Sequence, residues 1–297
     1  MTGKNFRYWL EAAALRIPLA LFRLLGLDRA SATGGWLARR VGPRLGVTRR
    51  ARRNIARAMP ELSAHDIERI IADMWENLGR TMAEYAHLDK FSLPAYHARL
   101  EIVGTDVPVL VDARGQGALF ISGHFANWEL MPLTLPRLGY QGGGEVYRHA
   151  NNPRVNDWMV SLRERHIMAR QIPKGAQGAR EILKLLKKNK FIAMLADQKM
   201  NDGIEARFFG LKAMTTSAPA ALAVRYGSAL VPACIERTQG AYFRITLYPP
   251  IIADASADPA AEIARLTQQL NNFLEERIRA RPHEWLWLHN RWPADDS

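Results

Sequence analysis

Residues 117–129, Gly117-Ala118-Leu119-Phe120-Ile121-Ser122-Gly123-His124-Phe125-Ala126-Asn127-Trp128-Glu129, hold a short apolar run bounded by two glycines and followed by a histidine. The run has the length of a buried strand, so His124 stands at a strand's C-terminal end. Glu129 follows five residues later. On one regular helix five residues turn two side chains about 140° apart, so the pair cannot share a helix face. If His124 lies in the loop and Asn127 caps a helix beginning at Trp128, Glu129 falls in the first turn and reaches back to the imidazole. That arrangement makes a general base with an orienting carboxylate, which a helix N-terminus keeps ionised. The bland alternative is a loop histidine and a surface glutamate.

Outward from this stretch, the chain alternates strand-like and helix-like segments. Leu100–Val103, Gly142–Arg148, Phe191–Leu195 and Ser228–Glu236 read as strands, the last with a hairpin partner at Ala241–Tyr248. Ser63-Ala64-His65-Asp66 is a capping box before a helix whose stripe runs from Ile67 to Tyr85, with His65 and His87 read as solvated at its ends. Asp258 and Pro259 open the last helix, and the tail carries Trp285, Trp287 and Trp292, read first as core. This pattern predicts an α/β fold with a mostly parallel sheet flanked by helices on both faces. Sites in such sheets lie beyond the strand C-terminal ends. His124, Arg148 and Asp197 each follow a strand and so share one rim.

The chain has 297 residues, a formal charge of +12 and 48% hydrophobic residues, enough for a core. Nine arginines and no acidic residue lie between Arg29 and Pro60, and a second basic region runs from Arg163 to Lys190. Such regions suit nucleic acid, an anionic membrane or an acidic protein. Zinc-finger spacing, an RNA-recognition signature and aromatic interleaving are all missing, which disfavours nucleic acid. Residues 6–27 favour the membrane: they are rich in Phe, Trp, Leu and Ile, but Arg7, Glu11, Arg16 and Arg23 interrupt them. A span needs about 20 apolar residues, so an interfacial helix within residues 1–27 is expected, with Arg16 and Arg23 reaching lipid phosphates. An ordinary packed helix, a signal peptide and a tilted span are its rivals. Residues 28–297 then form one α/β domain.

Gly123-His124-Phe125-x-Asn127-Trp128-Glu129 after an apolar strand resembles the His-x-x-x-x-Asp/Glu motif of the glycerolipid acyltransferase superfamily, in the version of the bacterial lipid A late acyltransferases. Further similarities follow in the family's order: Tyr147-Arg148 with Asn151-Asn152-Pro153, Ala196-Asp197-Gln198, Phe208-Phe209-Gly210, Thr215-Thr216 and Trp285-Leu286-Trp287-Leu288-His289. The resemblance implies transfer of a fatty acyl chain from acyl carrier protein to a hydroxyl of a Kdo-modified lipid A precursor, at the cytoplasmic face of the bacterial inner membrane. Lysophospholipid or phosphatidylinositol mannoside are alternative acceptors, and a non-enzymatic basic membrane scaffold is the alternative from another class.

In that chemistry His124 takes the proton from the acceptor hydroxyl and Glu129 fixes its tautomer, with no covalent acyl-enzyme. Gly-x-Ser-x-Gly is absent, which disfavours Ser122 as nucleophile. Lone Cys234 lies in an apolar run and reads as a small hydrophobe. No cofactor is implied, and His-Glu-x-x-His, the usual zinc spacing, is missing. Candidate substrate-binding residues are Arg148, as a phosphate clamp or oxyanion partner, together with Asn127, Arg170, Lys174, Asp197 and Gln198. Phe208-Phe209-Gly210 reads as a turn beside the site.

Overall fold

The computed structural model describes residues 3–112, 114–168 and 170–292. Its N-terminal third is helical: α1 (Gly3–Leu25), α2 (Leu27–Val41), α3 (Thr48–Ala58), α4 (Ala64–Glu84) and the single turn α5 (Leu88–Phe91). β1 (Leu100–Val103) and α6 (Val107–Asp112) lead to β2 (Ala118–Ser122), followed by α7 (Met131–Arg137), β3 (Gly144–Tyr147), α8 (Pro153–His166) and β4 (Gln171–Pro173). Then come α9 (Ala176–Leu186), β5 (Phe191–Leu195) and a hairpin of β6 (Lys199–Phe208) and β7 (Leu211–Thr215). α10 (Ala218–Tyr226), β8 (Ala229–Gln239), β9 (Tyr242–Leu247) and α11 (Pro259–Ala280) complete the chain.

Seven strands form one sheet in the order β1-β9-β8-β2-β5-β3-β4. Every pairing is parallel except β8 with β9, as the predicted hairpin requires. All five β2 residues are buried, which is why its sequence is continuously apolar instead of alternating. Ser122 pairs with Leu195, Glu145 with Ala193 and Tyr147 with Pro173, so β2, β5, β3 and β4 end side by side. The loops after them carry His124, Asp197, Arg148 and Lys174. The predicted common rim is present, and the short β4 adds Lys174 to it. Phe209, with φ of 55°, and Gly210 make the β6–β7 turn that the sequence suggested.

The arginine run folds as α2 and α3, helices the sequence reading did not anticipate. Arginine is a good helix former, and Gly34 serves packing. A Cβ on Gly34 would lie 2.5 Å from the Gly79 carbonyl oxygen, and one on Gly79 would lie 2.3 Å from the Gly34 oxygen. α2 and α4 therefore cross backbone to backbone, a contact that only glycine permits. At the start of α4 the predicted cap is present, with Ser63 Oγ accepting from the Asp66 amide at 3.1 Å. The tryptophans Trp285, Trp287 and Trp292 are core, and Cys234 is buried.

α1 is docked along one side and open along the other. Asn152 Nδ2 donates to the Tyr8 carbonyl and to Glu11 Oε2, the buried His87 ring meets the Phe22 carbonyl at 3.1 Å, and Arg23 pairs with Asp89. His87 is thus a clamp on α1, not a solvated end. Arg16 lies over the Trp158 ring. Both Arg16 and Arg23 therefore face α8 and the α4–α5 corner, which corrects the expectation that they reach outward. Phe6, Leu10, Ile17, Leu21 and Leu24 fall on the opposite side, within about 60° of arc, and all are exposed, Leu24 at 83%. Among the described residues no helix is long and apolar enough to cross a membrane.

Candidate active site

His124 is held by the loop between β2 and α7, and that loop is fixed from beneath by buried polar groups. Ala126 has a φ of 41°, a left-handed conformation costly to a residue with a Cβ. Its N–H donates to the Glu284 carbonyl at 2.9 Å, and its own carbonyl accepts from Thr81 Oγ1 at 3.0 Å. Asn127 is fully buried and its Nδ2 donates to Glu84 Oε2 at 2.8 Å, while Glu84 also pairs with Arg237. Asn127 makes no capping bond, and only a short 3₁₀ turn, residues 128–130, follows it. Its side chain clasps the loop to α4 and does not reach the cleft, which corrects its candidacy as a binding residue.

The imidazole's partner is Asp197. Asp197 Oδ1 lies 2.8 Å from His124 Nδ1, and Oδ2 accepts from the His124 backbone N–H at 2.8 Å and from Trp285 Nε1 at 2.7 Å. Gly123 makes room: a Cβ there would lie 3.2 Å from Asp197 Oδ2 and 2.9 Å from the Phe125 ring. Burial alone would push the carboxyl up, but the adjacent His124 and these donors outweigh it and hold Asp197 well below the usual carboxylate range. A carboxylate accepting at Nδ1 leaves the Nε2 lone pair to act as base.

Glu129 does not reach the imidazole. The 3₁₀ turn aims it at Arg163 of α8, whose Nε and Nη2 donate to Glu129 Oε2 and Oε1 at 2.6 and 2.5 Å. Trp128 Nε1 donates to Glu129 Oε1 at 3.0 Å, and Arg163 also meets the Tyr85 hydroxyl at 3.2 Å. Burial opposes ionisation of Glu129, yet Arg163 overrides it and its pKa lies below the ordinary value. Glu145 lies nearby without a cation of its own. Burial, then repulsion from Glu129, pushes its pKa up to about 7.

A polar cleft gathers His124, Glu129, Glu145, Arg148, Arg163, Lys174, Gln198 and His289. Arg148 is exposed at its wall with no carboxylate partner among the described residues. The Lys174 pKa is lowered, first by desolvation of the ammonium and then by Arg148, although the residue as a whole is solvent-exposed. Arg170 lies at the opposite end of β4, exposed and paired with Glu181, and is not part of the cleft. Adjoining the cleft through Trp128, Glu145, Val146 and Leu195 is an apolar cavity lined by Phe120, Met131, Leu135, Ala193, Ala233, Ile245 and Leu247. Ser122 lines it too, buried, and its Oγ donates to the Gly123 carbonyl at 3.5 Å, with no imidazole or carboxylate partner among the described residues.

Sequence reading missed Arg163 and His289 as parts of this cleft. His289 stands in the quoted tail motif, which was a usable signal. Arg163 sits among other charges on α8 and offered none. Among the described residues no three His, Cys, Asp or Glu side chains gather into a metal-binding group.

This geometry accords with the sequence comparisons. Residues 3–294 match the family described as bacterial lipid A biosynthesis acyltransferase. A phosphatidylinositol mannoside acyltransferase of Mycobacterium tuberculosis (strain ATCC 25618 / H37Rv) is 26% identical, over 97% of this chain and 89% of its own. A lipid A biosynthesis lauroyltransferase of Escherichia coli (strain K12) is 25% identical, over 81% and 77%. A lipid A biosynthesis palmitoleoyltransferase of the same organism is 23% identical, over 96% and 92%.

Proposed function

Because the chain belongs to the bacterial lipid A biosynthesis acyltransferase family, we propose that it transfers a fatty acyl chain from acyl carrier protein to a hydroxyl on a Kdo-modified lipid A precursor. The observation that carries this reading is the cleft itself. A histidine with Nδ1 on a buried carboxylate lines one cleft with cationic Arg148 and Lys174, and an apolar cavity adjoins it. The cations suit an acceptor bearing phosphates or carboxylates, and the cavity suits the acyl chain. His124 Nε2 takes the hydroxyl proton as the oxygen attacks the thioester carbonyl. Collapse of the tetrahedral oxyanion expels the thiolate, which receives that proton from the imidazolium. Asp197 holds the tautomer and stabilises the imidazolium. Glu129 acts through Arg163, keeping a guanidinium fixed at the cleft wall.

A phosphatidylinositol mannoside is the second reading of the acceptor, favoured by the relative that shares 26% identity over 97% of this chain. Both acceptors are anionic glycolipids. Incubating the purified protein with lauroyl acyl carrier protein and each acceptor, then weighing the products, separates them. Acylation of neither lipid, with the donor intact, would sink the reading.

The site of action in this proposal is the cytoplasmic face of the bacterial inner membrane. The exposed stripe from Phe6 to Leu24 would lie among lipid tails, with the α2–α3 arginines near anionic headgroups. Each such arginine contributes on the order of 1 kcal/mol, screened by salt, whereas burial of the stripe is salt-insensitive. The protein should float with anionic liposomes even at high salt, and the Ile17→Glu, Leu21→Glu, Leu24→Glu variant should float only at low salt. Equal flotation of the variant at every salt concentration would remove α1 as the anchor.

A further inference from the structure

Asp197 takes one nitrogen of His124, and its chain neighbour Gln198 takes the other. Gln198 Nε2 lies 3.2 Å from His124 Nε2 and 2.7 Å from His289 Nε2. The hydrogen-bond network fixes which way this carboxamide faces. With the Nδ1–H of His124 donating to the Asp197 carboxylate, Nε2 carries a lone pair, so the amide must turn its NH₂ side toward it. His289 is consistent with that. Burial, and then the neighbouring His124, keep it neutral, with a pKa down to about 4, so its Nε2 can accept as well. Both N–H bonds of Gln198 are thereby used. His289 is itself held in place, since Asn54 donates to the carbonyls of Trp287 and His289 and Arg50 donates to that of Leu288.

The lone pair that must take the acceptor's proton is therefore already occupied. We propose that Gln198, anchored by His289, is a stopper on the general base: it holds His124 Nε2 until an acceptor hydroxyl displaces it, and so keeps water from hydrolysing the bound thioester. This rests on His124 being the base in the reading above. A bare lone pair in a polar cleft recruits water, and a water held there would attack the thioester as an alcohol does, releasing fatty acid and thiol. A neutral amide-to-imidazole hydrogen bond is weak enough to be exchanged. A glycolipid brings binding energy from remote contacts such as Arg148 and can drive the exchange, whereas water brings none. Gln198 thus helps the site to distinguish its substrate from solvent.

The test uses the full chain with lauroyl acyl carrier protein and follows thiol release without acceptor, then acyl lipid formed with acceptor. The wild type should release thiol slowly alone and in step with lipid product when acceptor is present. Gln198→Ala opens space for a water at Nε2, and its acceptor-free release should rise about tenfold, the upper worth of one neutral hydrogen bond, without a gain in transfer. Gln198→Met keeps the bulk but has no N–H, and should fall between the two. Thermal melting establishes that each variant is folded. Wild-type levels of acceptor-free release in both folded variants would overturn the proposal. So would a joint fall in release and transfer, which would make the amide an oxyanion donor instead. If the wild type releases no thiol and acylates no lipid, the donor and acceptor reading above fails, and that arm is read before any variant.

Discussion

Two buried carboxylates flank the same loop, and they do opposite work. Asp197 follows β5, 73 positions beyond His124, and contacts the imidazole, the loop backbone and Trp285. Glu129 is five positions from His124 and contacts Arg163, Trp128 and the far wall of the cleft. Nearness along the chain did not give nearness in space. The turn after Asn127 is 3₁₀, which points residue 129 away from the ring, while two parallel strands in register bring Asp197 under it. One centre sets a tautomer, and the other neutralises and orients a cation.

The largest effect should come from exchanging each carboxylate for its amide. Asp197→Asn removes the acceptor at Nδ1 and lets the ring place its proton on Nε2, so the rate should fall on the order of 10²–10⁴-fold. The double variant with His124→Ala should be little worse than His124→Ala alone, since the two act as one unit. Glu129→Gln should cost less in rate, and its loss should multiply with that of His124→Ala. Steady-state kinetics of the three single and two double variants decide this. Were Glu129→Gln to show complete non-additivity with His124→Ala and Asp197→Asn to show none, Glu129 would be the partner of the base during turnover.

Stability should sharpen the same contrast. Glu129 and Arg163 are both nearly buried, and removing one member of such a pair costs roughly 3–5 kcal/mol because the other charge is stranded. Arg163→Met should therefore lower the denaturation midpoint, and adding Glu129→Leu should recover much of the loss, since an apolar pair of similar volume needs no counter-charge. Asp197→Asn keeps its Trp285 donor and should cost less. A variant Arg163→Met as stable as wild type in urea titration would mean that Glu129 has another partner or is neutral.

What the sequence made legible follows from the range over which each signal acts. β2, β5 and the β8–β9 hairpin are apolar runs between glycines and polar turns, and burial within a sheet requires such runs locally. The shared rim for His124, Arg148 and Asp197 followed from strands alternating with helices. Contacts between distant segments left no such mark. The Asp197 bond to Nδ1 depends on which strands are neighbours, and a spacing motif carries no strand order. Arg163 reads like its exposed neighbours, because an ion pair buries a charge without changing its residue type. α2 and α3 were hidden for another reason: the arginine run reads only as a charged patch, and the crossing of Gly34 against Gly79 is a contact between distant segments.

The smallest predicted effect concerns Glu145, which lines the cleft with Glu129 and which burial and the charge of Glu129 keep protonated up to about pH 7. In the unfolded chain its carboxyl titrates near the ordinary value of 4.5. Between these two values the native state keeps a proton that the unfolded state has released, so stability must fall as pH rises through the window and level off above it. The direction is opposite to that of Asp197, whose lowered pKa supplies stability that is lost only when the medium becomes strongly acidic. A shift of this size is worth no more than about 3 kcal/mol, and less in practice because Glu145 opens onto the cleft. Glu145→Gln removes the titration and keeps the hydrogen-bonding shape, so its stability curve should be flatter than wild type between pH 5 and pH 7. Urea midpoints across that range measure the difference. If Glu129→Gln also flattens the wild-type slope, repulsion between the two carboxylates contributes to the shift as the geometry requires. If it leaves the slope untouched, desolvation alone keeps Glu145 neutral, and the Glu129 centre is electrically closed by Arg163.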